Sequence, residues 1–132
     1  MFDRMVVQDA LIRTWALENS PGWDRDNPAD DQSSVTSQLI YDIFGGEILK
    51  THKKHGWHFY NRINGERIDF TKQETGKYSQ DLYFDDIPST PDETNIYFAQ
   101  EEYFTFLSSF ITVFEEAVGL ENYQPASAAC MV

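Results

Sequence analysis

Apolar residues recur along this chain at helical spacing in three places and alternate in one. Between residues 3 and 18, Val6, Val7, Ala10, Leu11, Trp15 and Leu17 make a stripe that predicts an amphipathic helix with Asp3 as its N-cap. Ser20-Pro21-Gly22 ends it. The run 23–31 is rich in turn formers, and Asn27-Pro28 disfavours helix at Asn27. A second helix over 33–44 carries Val35, Leu39, Ile40, Ile43 and Phe44 on one side, with Asp30 or Asp31 available as cap and Gly45-Gly46 as its left-handed exit. A short strand over 47–51 and a basic loop over 52–56 follow.

The alternating stretch is 57–71. Asn64-Gly65 is the preferred pair for a two-residue type I′ hairpin turn. That turn fixes a register: Ile63 faces Glu66, Asn61 faces Ile68, Tyr60 faces Asp69, Phe59 faces Phe70 and His58 faces Thr71. Phe59, Ile63, Ile68 and Phe70 then line the core side, and His58, Tyr60, Arg62, Arg67, Asp69 and Thr71 line the other. Residues 72–98 read as mostly loop, with a short strand at 82–84 or 96–98. A long helix is expected over 100–118, with Phe104, Leu107, Ile111, Phe114 and Val118 as its core stripe, Glu101 and Glu102 in its first turn and Gly119 at its end. The fold class that follows is α+β: one small antiparallel sheet packed with helices, in a single domain over 1–132. Within it, 3–75 form the core, 76–123 an acidic loop and helix, and 124–132 a frayed tail.

Composition narrows the function classes. With 41% hydrophobic and 15% aromatic residues the chain suits a packed globule rather than disorder. Cys130 is the single cysteine, which excludes an intramolecular disulfide and a multi-cysteine zinc site. The net charge of −12 is uneven: all ten Lys and Arg lie before residue 78, and residues 78–132 carry ten acids and no base. Such a charge repels a phosphate backbone, so no nucleic-acid partner is expected; it suits an acidic surface or a face for a basic protein. No run of about 18 apolar residues occurs and the N-terminus lacks a signal-peptide pattern, so no membrane partner and a cytoplasmic location are expected. There is no glycine-rich phosphate loop and no dinucleotide fingerprint, hence no expected cofactor. His52, His55 and His58 sit at a loop-to-strand junction with no acid among them, so no metal site is expected. Asp85-Asp86 lacks the alternating ligands of a calcium loop and reads as a solvated turn.

Three side chains can form a nucleophile–base–orienter set: Ser33, His58 and Asp69. Ser33 falls at the start of a predicted helix, where the dipole and free N–H groups favour negative charge. His58 and Asp69 become diagonal neighbours on the hairpin, about 7–8 Å apart at Cα. Gln32 is placed to donate to a developing oxyanion. Plainer roles stand beside these. Ser33 and Ser34 are ordinary helix-capping residues, His58 can be a surface histidine, and Asp69 can pair with Arg67 or Arg62.

A family resemblance rests on several blocks in order: Asn27-Pro28-Ala29, Gln32, Val35-Thr36, Gly45-Gly46-Glu47-Ile48-Leu49, His58-Phe59-Tyr60-Asn61, and Asp69-Phe70-Thr71 with Gln73. In these, residues 10–75 resemble the bacterial YunG-like family, small proteins that look like relatives of papain-like and transglutaminase-like cysteine hydrolases. The resemblance implies a papain-like or NlpC/P60-like core, with the family's cysteine position at Ser33, its histidine at His58 and its aspartate at Asp69. Serine in place of cysteine, and Asp31 in place of a glycine, depart from the pattern. A serine hydroxyl is a far weaker nucleophile than a thiolate, and Asp31 would set negative charge beside a forming oxyanion. The implied function is a hydrolase-related domain, inactive or weakly active, acting otherwise by acyl transfer on an amide or ester. A pseudoenzyme, a serine hydrolase and a cysteine enzyme with its nucleophile exchanged all fit. The alternative is a non-catalytic acidic module, of inhibitor or nucleic-acid-mimic type, that binds a basic protein.

Overall fold

A computed structural model of the chain describes residues 2–18, 32–53, 56–71 and 84–122. The first helix, α1 (Arg4–Glu18), starts where the cap was expected: Asp3 Oδ1 accepts the N–H groups of Met5 and Val6 at 3.0 and 3.2 Å. Val7, Ala10, Leu11 and Trp15 are buried, whereas Leu17 is exposed. The second helix, α2 (Ser33–Phe44), has Gln32 as N-cap and exits through Gly45 and Gly46, both at positive φ. The expected caps Asp30 and Asp31 lie outside the described residues.

Next comes an antiparallel hairpin, β1 (Glu47–Lys53) with β2 (Gly56–Ile63). His52 and Lys53 are therefore strand residues, not loop. Strand β3 (Glu66–Ile68) returns through Asn64-Gly65, whose φ values of 54° and 81° are those of a type I′ turn. The register is the expected one for Asn61–Ile68, Arg62–Arg67 and Ile63–Glu66. It then stops. Asp69, Phe70 and Thr71 leave the ladder, so the pairings expected for them do not form.

The fourth strand, β4 (Ile87–Ser89), closes the sheet in the order β3-β2-β1-β4. Its place corrects the expectation for 72–98: residues 96–98 are a 3-10 turn and bend, Phe84 is not in a strand, and 82–83 lie outside the described residues. A single helical turn, α3 (Pro91–Thr94), and the 3-10 turn Asn95–Tyr97 lead to α4 (Gln100–Asn122), which runs through Gly119 rather than ending there.

One core lies between the helices and one sheet face. Val7, Leu11 and Trp15 of α1, Leu39 and Ile40 of α2, Ile63 and Ile68 of the hairpin, and Tyr103, Phe106, Phe110 and Val113 of α4 meet there. The α4 stripe is thus one position away from the expected one. Phe110 is fully buried and Phe104 is 60% exposed. Two polar ties set how α2 sits. Asn61 Nδ2 donates to Ser37 O at 3.0 Å, and the Tyr103 hydroxyl donates to Asp42.

Candidate site at the sheet edge

Alternate residues of an antiparallel strand send their N–H groups to opposite neighbours. Asn61 pairs with Ile68 of β3, and Phe59, two residues away, points its N–H to the same side, where β3 has already ended. Ser33, the first residue of α2, fills that place: its Oγ accepts the Phe59 N–H at 3.2 Å. The half-buried serine therefore does not cap its own helix. It docks the start of α2 against the strand that carries His58.

His58 lies on the opposite sheet face to the helical layer and is buried, so the plainer reading of a surface histidine does not hold. Its Nε2 meets Asp69 Oδ2 at 2.7 Å. A carboxylate accepts, so Nε2 carries the proton and a neutral ring is left with its lone pair on Nδ1. The side chains of His58 and Asp69 are only 9% and 5% exposed. Asp69 is held in turn by Thr71, whose N–H and hydroxyl both donate to Oδ1 at 3.0 and 3.2 Å. The alternation pattern puts Thr71 on a strand face, yet the spacing Asp-x-Thr is itself a turn signal, an Asx turn with a hydroxyl added.

Asp69 does not pair with Arg67 or Arg62. Those arginines go to Asp86, which takes two bonds from Arg67 at 2.9 and 2.6 Å and a longer contact from Arg62 at 3.6 Å. Asp86 also accepts from the Tyr60 hydroxyl at 2.9 Å, while its own N–H donates back to that oxygen at 2.7 Å. The Arg67 guanidinium holds the Asp86 carboxyl below the usual carboxylate range, and burial pushes the Tyr60 phenol up. Phe84 packs edge-on against Tyr60, and Tyr60 stacks on the His58 ring with centroids 6.1 Å apart. Asp85 bonds to Thr51 and His52. The pair Asp85-Asp86 is thus a clamp across the sheet rather than a solvated turn. No local sequence signal marks it, because its partners lie at least 19 positions away.

Gln32 is buried at the N-cap of α2, and its carbonyl accepts the Thr36 N–H at 3.0 Å. That bond is the first of the helix ladder, so the N–H groups of Ser33, Ser34 and Val35 precede it. The four residues singled out are placed as follows. His58 and Asp69 are bonded to each other, Ser33 is bonded to the backbone beside His58, and Gln32 adjoins Ser33. No direct hydrogen bond joins Ser33 to His58 among the described residues. No group of three or more His, Cys, Asp and Glu side chains among them is arranged to hold a metal ion, and His55 lies outside them. No described helix is long and apolar enough to cross a membrane.

The fold and this edge define an α+β domain with a buried His–Asp pair set beside a helix N-terminus. The profile of the YunG protein family matches residues 3–114. The chain belongs to that family. The match runs through most of α4, well past the blocks at 10–75. The chain is also 35% identical over 97 residues to a Bacillus subtilis (strain 168) protein described as "Uncharacterized protein YunG", over 74% of this chain and 82% of the relative. No solved structure matches the chain.

Proposed function

We propose that this chain is a papain-like, hydrolase-related domain whose centre is Ser33, His58, Asp69 and Gln32, inactive or weakly active with serine in the nucleophile position. The observation that carries this reading is the 2.7 Å bond from a buried His58 Nε2 to Asp69, on the strand whose backbone N–H holds Ser33 at the start of α2. It leaves the other ring nitrogen as the base. In the reaction this supports, Nδ1 takes the proton of Ser33 as Oγ attacks an amide or ester carbonyl carbon. Asp69 stabilises the imidazolium that forms, and Gln32 with the first-turn N–H groups of α2 receives the oxyanion. The proton then passes from Nδ1 to the leaving group, and water releases the acyl group from Ser33 by the reverse sequence.

Serine limits this chemistry in two ways. Its hydroxyl must lose a proton during attack, where a thiol is already part ionised. Its oxygen also accepts the Phe59 N–H, which draws off lone-pair density.

Ser33→Cys, with Cys130→Ser to remove background, tests the centre through the pH dependence of iodoacetamide alkylation. The expected thiol titrates well below the ordinary value of about 8.5 and returns towards it in His58→Ala. An ordinary thiol, indifferent to His58, would overturn the proposal and put the acidic, protein-binding reading in its place.

A further inference from the structure

We propose that Thr71 is the positioning residue of this centre: through Asp69 Oδ1 it aims the carboxylate so that Oδ2 faces His58 Nε2. The inference rests on the reading of His58 and Asp69 as base and orienter.

The need for such a residue comes from where the strand ends. Ile68 is the last paired residue of β3, so no ladder bond fixes the backbone of Asp69. A short side chain on an unpaired backbone can turn about both its torsions, and a carboxylate has two equivalent oxygens to offer. Something else must choose which oxygen meets the ring and at what angle. Thr71 does so twice, with its N–H at 3.0 Å and its hydroxyl at 3.2 Å, both on Oδ1. Those bonds leave Oδ2 for His58. Both side chains are nearly closed off from water, so solvent is a poor substitute for either bond. The N–H bond belongs to any Asp-x-Thr turn. The hydroxyl adds a second anchor on the same oxygen and stops the carboxylate from pivoting about the first.

The consequence reaches the reactive nitrogen. While Oδ2 accepts from Nε2, the ring is held as the Nε2–H tautomer with its lone pair on Nδ1. Once the carboxylate swings, that tautomer loses its anchor and the ring is free to turn.

NMR of the full chain labelled with 15N at histidine reads this directly, from the tautomer of His58 and the exchange of its Nε2–H with water. Thr71→Val keeps the shape and the N–H bond and removes the hydroxyl. It is expected to speed exchange of that ring proton about tenfold, the loss of one charge-assisted hydrogen bond. Thr71→Ser restores the hydroxyl and is expected to exchange at the wild-type rate. Asp69→Asn sets the upper limit of the effect. A packing role alone would lower the denaturation midpoint in Thr71→Val and leave the ring proton unchanged.

If Asp69→Asn speeds exchange and Thr71→Val does not, the role of Thr71 is overturned and the His58–Asp69 pair stands. If neither moves the ring proton, the pair itself is overturned, and the proposed centre with it. Should Thr71→Val fail to fold, Thr71→Ala, which also removes the hydroxyl and keeps the N–H bond, carries the test: a rise in exchange of about tenfold supports the hydroxyl, and exchange at the wild-type rate overturns it.

Discussion

At the scale of single residues, Gly46 at the join between α2 and β1 is the only described glycine with no room for a Cβ. Gly46 has φ +84°, and a Cβ there would run into the carbonyl oxygen of Arg62 on the paired strand. Two costs therefore add. One is the left-handed backbone, about 1–2 kcal/mol for a residue with a Cβ. The other is a collision with backbone that cannot turn aside. Gly65 separates them: its φ is nearly the same, +81°, but a Cβ there would meet open space. Gly65→Ala is expected to lose about 1–2 kcal/mol in urea denaturation, and Gly46→Ala clearly more. Equal losses would mean that backbone strain alone sets the cost. The excess is a matter of register. Glu47 pairs with Arg62 immediately after the glycine, so a shift at 46 displaces the strand that carries His58.

At the scale of elements, what could be read from the sequence and what could not divide along one physical line. Local signals were legible. Asp3 capped α1, and Asn64-Gly65 set the turn and the first three pairs of its register. The register read from the turn makes His58 and Asp69 diagonal neighbours; the two side chains do meet, but Asp69 reaches His58 from beyond the end of the ladder rather than from a place in it. The rotation of α4 was not legible. Its apolar residues come in adjacent couples, Tyr103-Phe104, Phe106-Leu107, Phe110-Ile111 and Val113-Phe114. Two stripes of the same period therefore overlap, and periodicity establishes a helix without choosing between them. Packing chooses. Tyr103 faces inward with its hydroxyl on Asp42 of α2, and that contact turns Phe106, Phe110 and Val113 inward with it. Phe110→Ala is accordingly expected to cost about 3–5 kcal/mol, and Phe104→Ala no more than about 0.5. Denaturant midpoints of the two variants check it. The reverse order would place the core on the stripe read from spacing alone.

At the scale of the whole molecule, a chain of net charge −12 is held partly by bonds that need its carboxylates ionised. Asp86 is held below the usual range chiefly by Arg67, Glu93 chiefly by Lys50, and Asp85 chiefly by His52. All three lie between residues 85 and 93 and fasten that segment to the sheet. A depressed carboxyl binds fewer protons folded than unfolded. Its contribution is therefore complete above the ordinary value and is lost as the pH falls through the lower, folded one. Self-repulsion works the other way, since it eases as carboxylates are neutralised. The raw stability of the protein against pH mixes the two. Asp86→Asn separates them, because asparagine tolerates the positive φ of 55° at that position and changes the charge by one. The wild type is expected to exceed this variant by about 1–2 kcal/mol near neutral pH, from bonds between Asp86, Arg67 and Tyr60 that are only partly shielded from water. That difference should begin to shrink as the pH falls below the ordinary carboxylate value of 3.8 and close only once it has passed the lower, folded value, where Asp86 itself is protonated. Urea midpoints at a series of pH values read the gap. A difference that stayed constant down to pH 2 would mean that Asp86 acts through its shape and backbone rather than its charge. The clamp on Tyr60, and the support Tyr60 gives the His58 ring, would then be indifferent to acid.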